Sequence, residues 1–246
     1  MVYGSWVFTG GGAVAVHCAD GCTSEPDADW LCEDSSDDAG DGKLCTWTDT
    51  AGSGAIDWKA THVGTFSCTD KGTYALSITT HADGTVRVRH DTGSEKEPMY
   101  IQFYFAIDAE SLANTERSQI LTTKKANFVE KIRLSIYQDG SGNLVLQVQY
   151  AMLGTLDTTV YSTKTLSLDT WYRIRIGLTD ADLDVAISDW DGSNNEAVVD
   201  SVDSLDGVGS RYIDVGASGG GEGVITVQFD NIKMDDDTAI TTGCTE

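Results

Sequence analysis

The sequence predicts an all-β fold, a two-sheet antiparallel jelly-roll β-sandwich with a Cys-rich N-terminal extension. Three observations lead there. From about residue 56 onward, apolar and polar residues alternate with a period of two, the mark of half-buried strands. Aspartate far outnumbers glutamate among the 39 acidic residues, with 26 Gly and only 2 Pro, and Asp and Gly favour turns where Glu favours helices. Only 108–117 offers a short helical stretch, so about a dozen strands must bury one another as stacked sheets. A length of 246 residues allows one large all-β domain.

Taken in order, residues 1–16 read as one or two strands, with Trp6 and Phe8 against Ser5 and Val7, then a Gly10-Gly11-Gly12 break. Between His17 and Asp49 stand ten acidic residues, one lysine and four cysteines. This is either a flap held by covalent links or a solvated acidic loop. Residues 1–54 are therefore expected as an extension and 55–246 as the sandwich, whose first strand could come from 1–34. Tyr74, Leu76 and Ile78 alternate next. Met99, Ile101, Phe103, Phe105 and Ile107 give a long strand with one strongly apolar face. Ile132, Leu134 and Ile136 lead through Asp139-Gly140-Ser141-Gly142-Asn143 into Leu144, Leu146, Val148 and Tyr150, the clearest hairpin. Tyr172, Ile174, Ile176 and Leu178 precede Leu183, Val185 and Ile187. The last strand carries Ile225, Val227 and Phe229, then changes phase to Ile232 and Met234. That change predicts a bulge at Asp230-Asn231, because a one-residue slip would turn the apolar face to water.

The net charge of −23 repels nucleic acid along most of the surface. No stretch approaches the roughly 20 apolar residues of a membrane span, so membrane insertion is not expected. The start, MVYGSWVFTGG, lacks a charged n-region and an apolar h-region. The expectation is a removed signal with an added Met1, or release by another route such as a virion freed by lysis. Six cysteines, Cys18, Cys22, Cys32, Cys45, Cys68 and Cys244, fit three disulfides in an extracellular setting. Zinc at His17-Cys18-x3-Cys22 and free thiols are the alternatives, although the Cys-x2-Cys spacing of common zinc sites is missing.

Several strings occur in a telling order: Leu31-Cys32-Glu33-Asp34, Trp47-Thr48-Asp49, Gly72-Thr73-Tyr74-Ala75-Leu76-Ser77-Ile78, the aromatic strand at 99–107, Leu168-Asp169-Thr170-Trp171-Tyr172-Arg173-Ile174 and Phe229-Asp230-Asn231-Ile232-Lys233-Met234. Over residues 31–236 the chain resembles the concanavalin A-like (laminin G-like) jelly rolls of secreted carbohydrate-binding proteins, polysaccharide-degrading enzymes and virion structural proteins. The resemblance implies a structural calcium held by Glu33 or Asp34 together with Asp230, since Ca²⁺ takes six to eight oxygens and can tie chain ends together. The alternative for Asp230 is a cap on its own bulge. Ser35-Ser36 stand where relatives carry an aromatic.

Hydrolases of the resembling kind carry paired carboxylates on one strand. The nearest string is Glu25-Pro26-Asp27-Ala28-Asp29, which is interrupted by proline. The alginate-lyase-like relatives use an Arg-rich strand, a Gln-x-His motif and a Tyr acid. Thr115-Glu116-Arg117-Ser118-Gln119 echoes the first, and no Gln-x-His occurs. His17, His62, His81 and His90 are scattered without metal spacing. Asp189-Trp190-Asp191-Gly192-Ser193-Asn194 reads as an Asp-Gly turn rather than an EF-hand, because its Gly is fourth. Sugar binding needs an exposed aromatic flanked by hydrogen-bonding groups. The candidates are Trp190 with Asp189, Asp191 and Asn194, and Tyr100 and Tyr104 with Gln102, Gln147 and Gln149.

No catalytic residue is nominated. The expectation is a non-enzymatic extracellular or virion-surface structural or adhesion protein, a decoration, fibre or filament component. Its partners would be copies of itself, a virion or filament surface, or glycans. The alternative is a secreted carbohydrate-binding module, and the second alternative a polysaccharide lyase or glycoside hydrolase.

Overall fold

Successive side chains of a strand point to opposite faces, so Met99, Ile101, Phe103, Phe105 and Ile107 share one side of one strand, where all five are buried. That strand lies mid-sheet. The computed structural model describes residues 14–17, 46–51, 55–59, 61–68, 75–80, 85–151, 156–179, 182–203, 209–217 and 223–235. They form two antiparallel sheets. The eight-stranded sheet runs in the order β1 (Val14–His17), β2 (Thr46–Ala51), β5 (Val86–Lys96), β14 (Ser210–Ala217), β7 (Arg117–Lys124), β8 (Glu130–Gln138), β9 (Leu144–Ala151) and β10 (Leu156–Leu166). The seven-stranded sheet runs β13 (Glu196–Asp203), β12 (Asp182–Asp189), β11 (Trp171–Leu178), β6 (Met99–Glu110), β15 (Ile225–Asp235), β4 (Ala75–Thr79) and β3 (Ala55–Lys59).

Between the sheets lies one core, built from the inward members of each alternation: Phe103, Phe105 and Phe229 from one side, Leu121, Leu134 and Val148 from the other. Each fully buried side chain of this kind contributes roughly 1.5–3 kcal/mol. The all-β two-sheet sandwich expected from the periodicity is what forms, and the 139–143 hairpin turns where expected. There Asp139 Oδ1 accepts from the backbone N–H groups of Ser141 and Asn143, each at 2.8 Å. The pairing of β15 with β6 shifts register between Asp230 and Lys233, and Asn231 has φ +47°. The phase change is thus a bulge.

Two expectations are corrected. The 108–117 stretch holds no helix: β6 runs to Glu110, and a turn follows. Its backbone is taken by local carboxylates instead, Glu110 Oε2 accepting from Leu112 N and Glu116 Oε2 from Ala113 N, both at 2.8 Å. Within 17–54, residues 46–51 are not loop but strand β2, which pairs with β5 and β1.

Candidate active site

Cross-strand partners share a face, so register alone assembles the outward face of the eight-stranded sheet. One row reads Arg89, Asp214, Thr122, Arg133, Gln149 and Thr159. A parallel row reads Gln119, Ser135, Gln147 and Tyr161. None of these side chains is apolar, which sets this face apart from the core behind it.

At the β5–β14 end the carboxylate of Asp214, fully buried, gathers three cations. Arg89 donates from Nε and Nη2 at 2.5 and 2.8 Å, Arg87 Nη1 lies at 3.1 Å and Lys124 Nζ at 3.2 Å. Burial pulls the Arg87 guanidinium below its ordinary value against the pull of Asp214, whereas the hydrogen bond to Asp214 raises Arg89. At the β9–β10 end, Arg117 Nη1 donates to Gln149 Oε1 at 2.9 Å and reaches Gln147 Oε1 at 3.4 Å. Gln147 Nε2 in turn donates to the Tyr161 hydroxyl at 3.2 Å. Tyr161, 45% exposed, leans on Tyr137 with ring centres 5.0 Å apart. Between the two ends Arg133 bonds Glu130 and meets Gln149 Oε1 at 3.5 Å.

Among the described residues, Arg87, Arg89, Lys124, Arg117 and Arg133 thus share this face with Asp214 and Glu130, while Asp91 on the same face is paired with Arg211 at 2.7 Å, on a chain whose net charge is −23. Amid them Thr122 Oγ1, Ser135 Oγ, Arg87 Nε and Arg133 Nε are buried with no hydrogen-bond partner. Buried polar groups left unpaired cost about 1–3 kcal/mol each, so the interior of this polar layer carries a cost that the apolar core does not.

Of the residues singled out from sequence, Gln147 and Gln149 belong to this face, but Tyr100 and Tyr104 lie on the outward side of the other sheet, across the sandwich. Tyr104 is fully buried, covered with Trp171, Ala75 and Ala106 by the segment that carries Val63, Phe66 and Cys68. It offers no exposed ring. Tyr100 is half-buried. Trp190 is also half-buried and meets Phe66 edge-on at 6.3 Å. Asp189 is engaged by Lys164 Nζ at 2.7 Å and Asn194 Nδ2 at 2.6 Å, and Asp191 accepts from Ser193 N, so these groups lock their turn. Asp230 is buried and its Oδ2 lies 2.6 Å from His62 Nε2. Its suggested calcium partners Glu33 and Asp34 lie outside the described residues, as do Glu25 to Asp29 and Cys18, Cys22, Cys32, Cys45 and Cys244. Cys68 is buried and disulfide-bonded. Among the described residues no three His, Cys, Asp or Glu side chains group as metal ligands.

No protein-family model matches the chain, and no curated protein matches it in sequence. Solved structures do match in fold. The alginate lyase from Klebsiella pneumoniae superposes with a TM-score of 0.50 at 14% identity, covering 70% of this chain and 84% of that one. The cellulose-induced protein Cip1 superposes with a TM-score of 0.52 at 15% identity, covering 77% and 88%. The chain folds as a concanavalin A-like jelly roll. Fold neighbours of this jelly roll include an alginate lyase, which overturns the expectation of a non-enzymatic structural or adhesion protein. Sequence reasoning passed over Arg133, Asp214 and Tyr161; the signals it had for this face were Gln147, Gln149 and Arg117-Ser118-Gln119, which opens β7.

Proposed function

We propose that this jelly roll is a polysaccharide lyase that cuts an acidic, uronate-containing polysaccharide on the outward face of the eight-stranded sheet. The observation that carries the reading is the clustering of Arg87, Arg89, Lys124, Arg117 and Arg133 on that one face of a strongly acidic chain. Glycosidase chemistry needs two carboxylates placed across one bond. The carboxylates Asp214, Glu130 and Asp91 of this face are instead held in ion pairs.

Elimination suits the groups present. Arg117 and Arg133 neutralise the sugar carboxylate, which makes the proton on the adjacent carbon easier to remove. The hydroxyl of Tyr161, oriented by Gln147, gives its own proton to the leaving glycosidic oxygen as its oxygen takes the proton from the carbon, so the phenol is regenerated. The C–H electron pair becomes the new ring double bond, and the glycosidic oxygen leaves and takes up a proton. An extracellular setting and glycan partners belong to the same proposal, supported by the Cys68 disulfide.

The test is to incubate the purified chain with alginate, polyglucuronate, polygalacturonate and neutral glycans, and follow the ultraviolet absorbance of the unsaturated product. Absorbance should rise with an acidic polymer and fall about 100-fold or more in rate for Tyr161→Phe. Reducing ends without absorbance would instead make it a hydrolase, and no product from any acidic polymer would end the reading.

A further inference from the structure

We infer that Phe128 forms a second, remote sugar-binding position, a stacking platform for one ring of the acidic polysaccharide proposed above, on which reading the inference rests. Phe128 lies in the turn between β7 and β8 and is 55% exposed. Its φ of +63° is one that a bulky residue rarely adopts. An exposed ring recovers little burial energy in return for that strain, so the core gives no reason for it.

The turn is nevertheless firmly held. Phe128 N donates to Lys125 O and Lys125 N to Val129 O, each at 2.9 Å. Asn127 Oδ1 accepts from Val129 N at 3.2 Å, and Glu95 Oε1, reaching over from β5, accepts from Ala126 N at 3.0 Å. The ring lies on Tyr212 nearly parallel, centres 4.8 Å apart and planes 6° apart. The Arg89 guanidinium carbon stands 5.2 Å from the Phe128 ring centre and 4.9 Å from that of Tyr212, and Arg211 is 5.1 Å from the latter. The stacked rings are thereby presented beside guanidinium groups that lie over them and bond Asp214 and Asp91.

That combination matches a uronate ring. The C–H face of a pyranose packs on an aromatic plane, and its carboxylate finds Arg89 or Arg211. Tyr212 shares the outward face with Lys124, so the platform continues the cationic row rather than standing apart from it. Tyr161 is four strands away, about 19 Å in the pairing direction. A long chain can reach both positions, and a short oligomer only one.

The experiment compares wild type, Phe128→Ala and Phe128→Trp on a uronate polymer and on its trisaccharide. Binding is read by retardation in polymer-containing gels, and turnover by product absorbance. Phe128→Ala should weaken polymer binding about tenfold, the scale of one lost aromatic contact, and leave trisaccharide turnover unchanged. Phe128→Trp should restore polymer binding. Polymer binding by Phe128→Ala equal to wild type, with cleavage intact, would show the ring to be a turn lock and overturn the platform alone. Equal losses on polymer and trisaccharide would overturn it too, as a general structural effect. A wild type that neither binds nor cuts any acidic polymer would remove both the platform and the lyase.

Discussion

The two outward faces of the sandwich begin from the same strand alternation and end differently. On the seven-stranded sheet the outward positions include Ala75, Tyr104, Ala106 and Trp171, and residues 62–68 close over them as a second apolar cluster. On the eight-stranded sheet the equivalent positions are Arg, Lys, Gln, Thr and Tyr, and buried donors there stay unpaired. The covered face is secured by matched polar groups at its margin: Trp171 Nε1 donates to Val63 O at 2.7 Å, and Val63 N to Gln228 Oε1 at 3.1 Å. Small and aromatic outward residues thus pack under the chain's own 62–68 segment, whereas charged and amide residues pair with one another across the strands.

The largest effect should come from breaking the covered face. Trp171 is fully buried and stacks on Phe66 with ring centres 4.3 Å apart and planes 15° apart. Trp171→Ala should cost about 3–5 kcal/mol in urea unfolding. Tyr161→Phe, on the polar face, should change stability by no more than about 0.5 kcal/mol while removing activity. A Trp171→Ala loss under about 1 kcal/mol would mean that the second cluster is no core at all. Gly64 makes the cover possible: at φ +57° a Cβ would fall 1.8 Å from Asp169 O, so no other residue fits there.

A smaller loss is expected from the hydrogen bond at the cover's edge. His62 rests on Phe66 and Trp171, with ring centres 5.6 and 5.5 Å away, and meets the buried Asp230 at 2.6 Å. His62→Ala should destabilise by about 1–3 kcal/mol, the scale of a buried polar partnership broken from one side. An unchanged urea midpoint would show that the cover is held by its apolar contacts alone.

The contrast between the faces also explains what sequence could and could not disclose. Period-two runs such as 99–107 and 132–136 name their inward residues without ambiguity, because burial on one face repeats at every second position. The bulge at Asp230-Asn231 was readable for the same reason. Sheet membership is a long-range fact that no local period contains. Gln147 and Gln149 were therefore grouped with Tyr100 and Tyr104, which the topology sets on the opposite side. Tyr104 read as outward, and it is outward from the main core, but its cover comes from Val63 to Cys68, far off in sequence. Tyr161 sits on edge strand β10, whose burial alternates only between half-buried and exposed over Leu156–Tyr161. So weak an apolar stripe leaves little for pattern reading to find.

The smallest effect lies where the two sheets meet, at the edges that both faces share. Lys164 on β10 reaches Asp189 at the end of β12 across the sandwich, 2.7 Å from Nζ to Oδ1. Burial works to raise the Asp189 carboxyl, but donors from Lys164 and Asn194 outweigh it and hold it below the ordinary carboxylate value. The folded chain therefore binds this proton less readily than the unfolded chain. The resulting stability is fully present above the ordinary Asp value of about 4 and is lost as pH falls through the lowered one. Lys164→Met should cost about 0.5–1 kcal/mol near neutral pH, since the pair is partly exposed and screened. Thermal melts of the two proteins should converge below about pH 4 and draw closer in high salt. A gap that persists in acid would mean that Lys164 acts through its ammonium over the Tyr172 ring, 5.8 Å from Nζ to centre, and not through its pair with Asp189.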